Sequence, residues 1–207
     1  MNSKKKHVRS PVQSRSIERK ENIIEAAYKL VKQRGYAETG IRDIVEAAGV
    51  SIGTFYSYYR DKNDIALEIL RKYSEEFYGS LAGDTIDSLK GESDLSAILY
   101  EILLRMKNSA LKNPKLHREL AILSLTDAKI AAAVKKIEKE RIQTEASKLL
   151  QYFAGKVQLR SEPTSLLIAQ RAMDDIISYM VLQGFDVDSE TILRETALMI
   201  SSYLLRI

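Results

Sequence analysis

Residues able to carry chemistry are few in this chain, and they cluster. Gly53, Thr54, Ser57 and Tyr58 stand within two turns of one another, with Arg42 shortly before them and Lys62 shortly after. Uncharged hydroxyls in such a group hydrogen-bond base edges or phosphate oxygens, Tyr58 has the length to reach a phosphate, and a glycine among them lets backbone approach backbone. Metal and covalent chemistry have less to work with. The chain has no Cys, which excludes disulfides and thiolate ligands, and only His7 and His117 could supply imidazole. Neither histidine has Glu three residues before it, as a di-iron helical bundle requires. A P-loop, a dinucleotide fingerprint and a nucleophile elbow are also missing from the sequence. No enzyme, cofactor or metal site is therefore expected.

The elements that must position this cluster are legible from periodicity. Ile41, Ile44, Val45 and Ala48 recur at helical spacing, Thr39 is placed to cap that helix, and Gly49 stops it. Ser51 can cap a second short helix in which Phe55 and Tyr59, one turn apart, face inward together. Small Ala47 and Ala48 permit close approach, and a buried Val50 would pin the turn. Two helices joined by a tight glycine-containing turn cross steeply, so the second can enter a major groove while the first braces it. Gly53, Thr54, Ser57 and Tyr58 are then left on the outward face.

Ahead of this pair, Ile23, Ile24, Ala27, Leu30 and Val31 form one helical face that Gly35 can end. Residues 1–16, with Lys4, Lys5, Lys6, Arg9, Pro11 and Arg15, lack such a pattern and read as a flexible basic arm. That arm is either a solvated tail or a strand of charge for a phosphate or minor groove. Residues 1–62 hold 13 Lys or Arg against 7 Asp or Glu, whereas residues 63–207 hold 19 against 21. The basic excess thus sits at one end, where counterion release from a polyanion would be useful.

Downstream, Asp61 can begin a helix with Ile65, Ile69, Tyr73 and Phe77 in register. Further helices follow around Leu95–Met106 and Leu116–Leu123, then a long one from about Ala128 to Phe153. Pro163 opens another with Leu166, Ala169, Met173, Ile176 and Met180 on one stripe and Gly184 at its end, and Leu193, Ala197, Ile200 and Leu204 line the last. Sustained two-residue alternation is absent, so an all-α fold of about nine helices is expected. Apolar runs fall short of the roughly 18 to 20 residues needed to cross a bilayer, and the basic N-terminus lacks the apolar core of a signal peptide. A cytoplasmic protein without a membrane partner is expected.

The segment TGIRDIVEAAGVSIGTFYSYYRDKNDI, residues 39–65, resembles the DNA-binding signature of the TetR/AcrR family of transcriptional regulators, and the likeness extends over roughly Ile23–Leu70. The resemblance implies an N-terminal three-helix DNA-binding domain over residues 17–62 and an effector-binding and dimerisation domain over 63–207. It implies base or phosphate contacts by Arg42, Ile52, Gly53, Thr54, Tyr56, Ser57, Tyr58 and Lys62 on double-stranded operator DNA. Two positions depart from the family pattern: Gly40 replaces a common hydroxyl residue, and Ile52 replaces a common polar one. Ile52 is left to touch a thymine methyl or to pack inward, and Tyr56 stands between core packing and readout.

The resemblance further implies a repressor that binds a palindromic operator as a homodimer through its two C-terminal helices, near 163–183 and 189–205. Their stripes could instead belong wholly to the intrachain core. A pocket between about 94 and 183 is implied as well, whose ligand, apolar or amphipathic, alters the spacing of the two DNA-binding heads. Tyr100, Leu103, Met106, His117, Ile122, Met173 and Tyr179 are the candidates to line it, with plain core or solvated positions as the competing reading. A helical protein-interaction adaptor is the rival function, distinguished by a duplex-DNA affinity insensitive to salt.

Overall fold

The computed structural model describes residues 11–78, 91, 94–141, 143–144, 147–154, 160, 162–184 and 186–205. Ten helices and no strand occur among them: α1 Pro11–Arg34, α2 Ile41–Ala47, α3 Ile52–Tyr58, α4 Lys62–Tyr78, α5 Leu95–Lys112, α6 Pro114–Thr126, α7 Ala128–Arg141, α8 Ser147–Phe153, α9 Pro163–Leu182 and α10 Ser189–Leu204. The chain divides into two compact units, Met1–Ile69 and Leu70–Ile207.

The N-terminal unit is built around a small apolar centre. Ile23, Ala27, Tyr28 and Val31 of α1 are buried, as are Ile44 and Val45 of α2, Phe55 and Tyr59 at α3, and Ile65, Ala66 and Ile69 of α4. Periodicity marks most of these, because each short helix has only one face to hide, while Tyr28 and Ala66 join them and the expected Ile24, Leu30, Ile41 and Ala48 are only half-buried. An ion pair between Lys20 and Glu68, at 2.8 Å, adds a contact between α1 and α4 at the surface of this unit.

Three expectations about this region are corrected. The first helix begins at Pro11, with no break before Ile17, so residues 11–16 are helical; proline is well suited to a first helical turn, where its missing N–H has no partner to lose. Residues 1–10 of the expected arm lie outside the described residues. Thr39 does not cap α2: it is fully buried and its hydroxyl donates to the Gly35 carbonyl at 2.7 Å, closing the end of α1. Gly40 takes the cap position, and its N–H donates to the Asp43 carboxylate at 2.8 Å. Val50 is only half-buried, and the turn is held by its N–H donating to the Val45 carbonyl at 3.0 Å. The division between the two compact units falls within α4, with Ile65, Ala66 and Ile69 buried before it and Leu70, Tyr73 and Phe77 buried after it.

In the C-terminal unit α5 packs against both α9 and α10, which also pack on each other, while α6 contacts α5, α7 and α9. Ile98, Leu99, Leu103 and Met106 of α5 meet Ile177 of α9 and Leu193, Ala197, Ile200 and Leu204 of α10 as its core. Over the expected long helix of 128–153 the described residues form α7 and α8, with Gln143 and Thr144 of π-helical geometry between them; residues 142, 145 and 146 lie outside the described residues. Pro163 stands at the start of α9, and Gly184 follows its end at φ +80°. No helix among the described residues is long and apolar enough to cross a membrane.

Candidate functional site

Local chemistry fixes the geometry of α2, the turn and α3. Gly49 adopts φ +65°, a left-handed conformation open to glycine at no steric cost, and this reverses the chain after α2. Ser51 then accepts a hydrogen bond from the Thr54 N–H at 3.1 Å, capping α3 as its sequence position foretells. Phe55, fully buried, and Tyr59, 3% exposed, anchor the helix with rings 5.4 Å apart. Seven residues of helix would otherwise have little to hold them in place.

The opposite face is open. Ile52 is 46% exposed and Tyr56 53%, so neither is used for the core: Ile52 does not pack inward, and the Tyr56 ring only leans edge-on against Phe55 at 5.5 Å. Gly53 and Ser57 are exposed beside them, and Thr54 is half-buried with its hydroxyl 2.9 Å from that of Ser51. Ser57 donates to the Thr54 carbonyl at 2.6 Å, leaving its oxygen lone pairs for other donors. A Cβ added to Gly53 would have the Ser51 hydroxyl at 3.8 Å as its nearest neighbour, so nothing inside the unit demands glycine there. The absent side chain matters only to something approaching from outside.

The charged candidates behave differently. Arg42 is exposed on the first turn of α2, beside an Asp43 that is already bound by Arg34 at 2.6 Å. Lys62 lies with its ammonium 4.2 Å from the centre of the Tyr36 ring and donates to the Ala37 carbonyl at 3.3 Å. Tyr58 is half-buried, and its hydroxyl lies 2.8 Å from the Ser16 hydroxyl and donates to the Ser16 carbonyl at 3.0 Å. This tie between α3 and α1 was not legible from spacing, since residues 42 positions apart carry no periodic signal. The eight DNA-contact candidates thus lie on α2, on α3 and at the start of α4, within one unit.

The ligand candidates are not brought together. Leu103 and Met106 are buried in the core of α5, Tyr100 lies under the Arg194 guanidinium at 4.8 Å, and Ile122 and Tyr179 are exposed. His117, by contrast, lines a cavity of about 260 Å³ among α4, α6, α7 and α9; Tyr100, Leu103, Met106, Ile122, Met173 and Tyr179 are not among its lining residues. The Tyr73 hydroxyl meets Nδ1 of His117, and the Ser178 hydroxyl lies 3.1 Å from Nε2. Burial holds the imidazole below its usual range.

Sequence reading missed the charged residues at and beside this cavity. Asp174 and Arg141 form an ion pair at 3.5 Å with both side chains 12% exposed. Burial, only partly offset by Arg141, pushes the Asp174 carboxyl up to about 6. The Arg141 guanidinium stacks on the Tyr78 ring at 3.5 Å. Burial, followed by the Asp174 charge, raises the Tyr78 phenol well above its usual range. One signal was available: Asp174 and Asp175 interrupt an otherwise apolar stretch of α9, and adjacent residues cannot both face solvent comfortably on a helix packed along one side.

Comparison with known proteins bears on both units. Residues 23–69 match the family described as bacterial regulatory proteins, tetR family. The chain is 26% identical over 176 residues to the HTH-type transcriptional regulator YuxN of Bacillus subtilis, covering 82% of this chain and 57% of that protein. It is 33% identical over 92 residues to the HTH-type transcriptional regulator AcrR of Shigella flexneri, covering 44% and 41% respectively. The chain therefore spans about half the length of the curated relatives it matches. In fold it is similar, at TM-score 0.63 and 19% identity, to a protein from Saccharomonospora viridis solved in complex with choline, over 92% of this chain and 100% of that one. The buried anchors of α3 and the turn before it fall inside the matched segment, so residues 23–69 are similar to the segment that describes the tetR family of bacterial regulatory proteins.

Proposed function

We propose that this protein is a transcriptional repressor that binds a palindromic operator as a homodimer and is released by a small molecule. The observation that carries the reading is α3, a capped seven-residue helix locked by Phe55 and Tyr59 whose Ile52, Gly53, Tyr56 and Ser57 are exposed on the opposite face. Such a face fits a major groove: Thr54 and Ser57 offer hydrogen bonds to base edges, Ile52 offers an apolar contact for a thymine methyl, and Gly53 lets the backbone come close. Arg42 and Lys62 flank it and would meet phosphates. Lys62 would exchange its Tyr36 and Ala37 contacts for such a partner.

Dimerisation is supported by apolar side chains that the C-terminal hairpin leaves uncovered. Leu167 and Ile168 of α9 and Leu198 and Met199 of α10 are between 44% and 56% exposed. A single short recognition helix buries little surface, and a two-fold pair doubles it across half-sites about 34 to 36 Å apart. Effector release is supported by the cavity around His117 and by the choline complex of the Saccharomonospora viridis protein.

The test is selection of bound duplexes from a random pool, followed by titration of the winner at several salt concentrations. A palindromic consensus is expected, with an affinity that falls steeply with salt. Lys62→Ala should weaken all sequences alike and flatten the salt slope by about 0.9. A duplex affinity indifferent to salt would instead favour the adaptor.

A further inference from the structure

Within the effector-responsive reading, which this inference rests on and extends, the geometry points to the class of ligand: a small protonated amine with an apolar body, anchored on the carboxylate of Asp174. That carboxylate is poorly provided for. Gln170 donates to Oδ2 at 2.6 Å and the Tyr78 phenol bears on the same carboxylate, but Oδ1 is buried without a hydrogen-bond partner. Arg141 comes within 3.5 Å of Oδ1, near enough to attract it, while its guanidinium is held flat against Tyr78 and its own Nη1 finds no acceptor. The Arg171 guanidinium is already committed, donating to Glu138 at 2.8 Å and to Asp175 at 3.0 Å. Three carboxylates, of Glu138, Asp174 and Asp175, therefore face two guanidiniums, and Asp174, whose Oδ1 is buried without a donor, is part of the cavity lining.

A buried, ionised oxygen without a donor is costly, and the cost is removed by a ligand that brings both a positive charge and an N–H. Leu120, Ala121, Leu125, Val134 and Ile137 supply an aliphatic lining for the remainder of such a molecule. A carboxylate ligand would add to the surplus negative charge. An alcohol would fill the open acceptor and leave the charge, and a quaternary ammonium would balance the charge and leave the acceptor open. A protonated amine answers both.

The full-length protein is titrated by calorimetry and thermal shift with phenethylamine, phenethyl alcohol, hydrocinnamate and phenethyltrimethylammonium, each alone. Phenethylamine is expected to bind at least about tenfold more tightly than the other three and to lose about tenfold in Asp174→Asn. Ala121→Phe, which fills the cavity and leaves Asp174 in place, should abolish amine binding with helix content unchanged, and it covers the case in which Asp174→Asn folds poorly. Equal affinity for the alcohol, amine binding that survives both variants, or no amine binding at millimolar concentration would each overturn the inference. Operator release in the same samples separates the two readings. Amine binding that leaves the operator complex intact retires the effector role and keeps the site, whereas release by hydrocinnamate alone, blocked by Ala121→Phe, retires the amine and keeps the effector role.

Discussion

Thr54 and Gly53 pull stability and recognition apart. The Thr54 N–H is satisfied by Ser51 and its hydroxyl sits at the protein surface, so Thr54→Ala should leave folding nearly unchanged. Against the selected operator it should cost about 1 to 3 kcal/mol, with little change on random duplex, as read by competition mobility shift. Gly53→Ala should stabilise the free protein by a few tenths of a kcal/mol up to about 1, since alanine favours helix and finds open space. Its operator affinity should nevertheless fall, because the added methyl occupies the approach to the backbone. In the second unit the titrating residues oppose each other. Asp174, raised to about 6 from an unfolded value of 3.8, binds its proton more readily when folded, so stability rises as pH falls through that window, by at most about 3 kcal/mol. His117, lowered by burial, binds its proton more readily when unfolded, so its contribution is present above pH about 6.5 and is lost on acidification. Glu138, Asp175, Arg141 and Arg171 share the surroundings, so the two effects are separated by variants. Asp174→Asn should lose the gain in denaturation midpoint between pH 7 and 5, leaving the histidine loss uncovered.

At the scale of elements, punctuation was the readable part. Gly35, Ser51, Asp61, Pro163 and Gly184 act on the residues next to them, and each ends or begins a helix where expected. Asp61, for instance, accepts from the Asp64 N–H at 2.9 Å at the start of α4. Where a competing partner lies farther along, local reading failed. Thr39 is drawn to Gly35 at the end of α1, which leaves the next cap to Gly40. Helical stripes also cannot say which of two neighbours a residue serves, so Leu103 and Met106, which are core positions, stood among the pocket candidates with plain core as the competing reading. The cavity depends on four helices meeting, and no window of sequence contains that meeting. One turn permits a direct check. Gly49→Ala places a Cβ in a left-handed backbone and should destabilise the N-terminal unit by about 1 to 2 kcal/mol, seen as a lower urea midpoint with unchanged slope.

For the whole molecule, charge and apolar surface are segregated along the chain. Basic excess lies before residue 63, and the two C-terminal helices α9 and α10 carry the exposed Leu167, Ile168, Leu198 and Met199. On the proposed reading, duplex is the partner of one half and a second copy that of the other. Replacing Ile168 and Met199 together with Glu should yield a monomer in sedimentation, with thermal stability of the N-terminal unit retained. Affinity for the full palindrome should fall to that of an isolated half-site, since one head then carries the binding that two shared.

Because Tyr58 is fastened to Ser16, the far end of α1 acts as a stay on the helix that faces outward. Its pitch is consequently set from two directions, by the turn at Gly49 and by a strut from residues well upstream. Leader peptides, purification handles or clipping that loosen those upstream turns would therefore shift sequence preference without altering a single side chain on the reading face, and preparations differing only there would disagree about the operator.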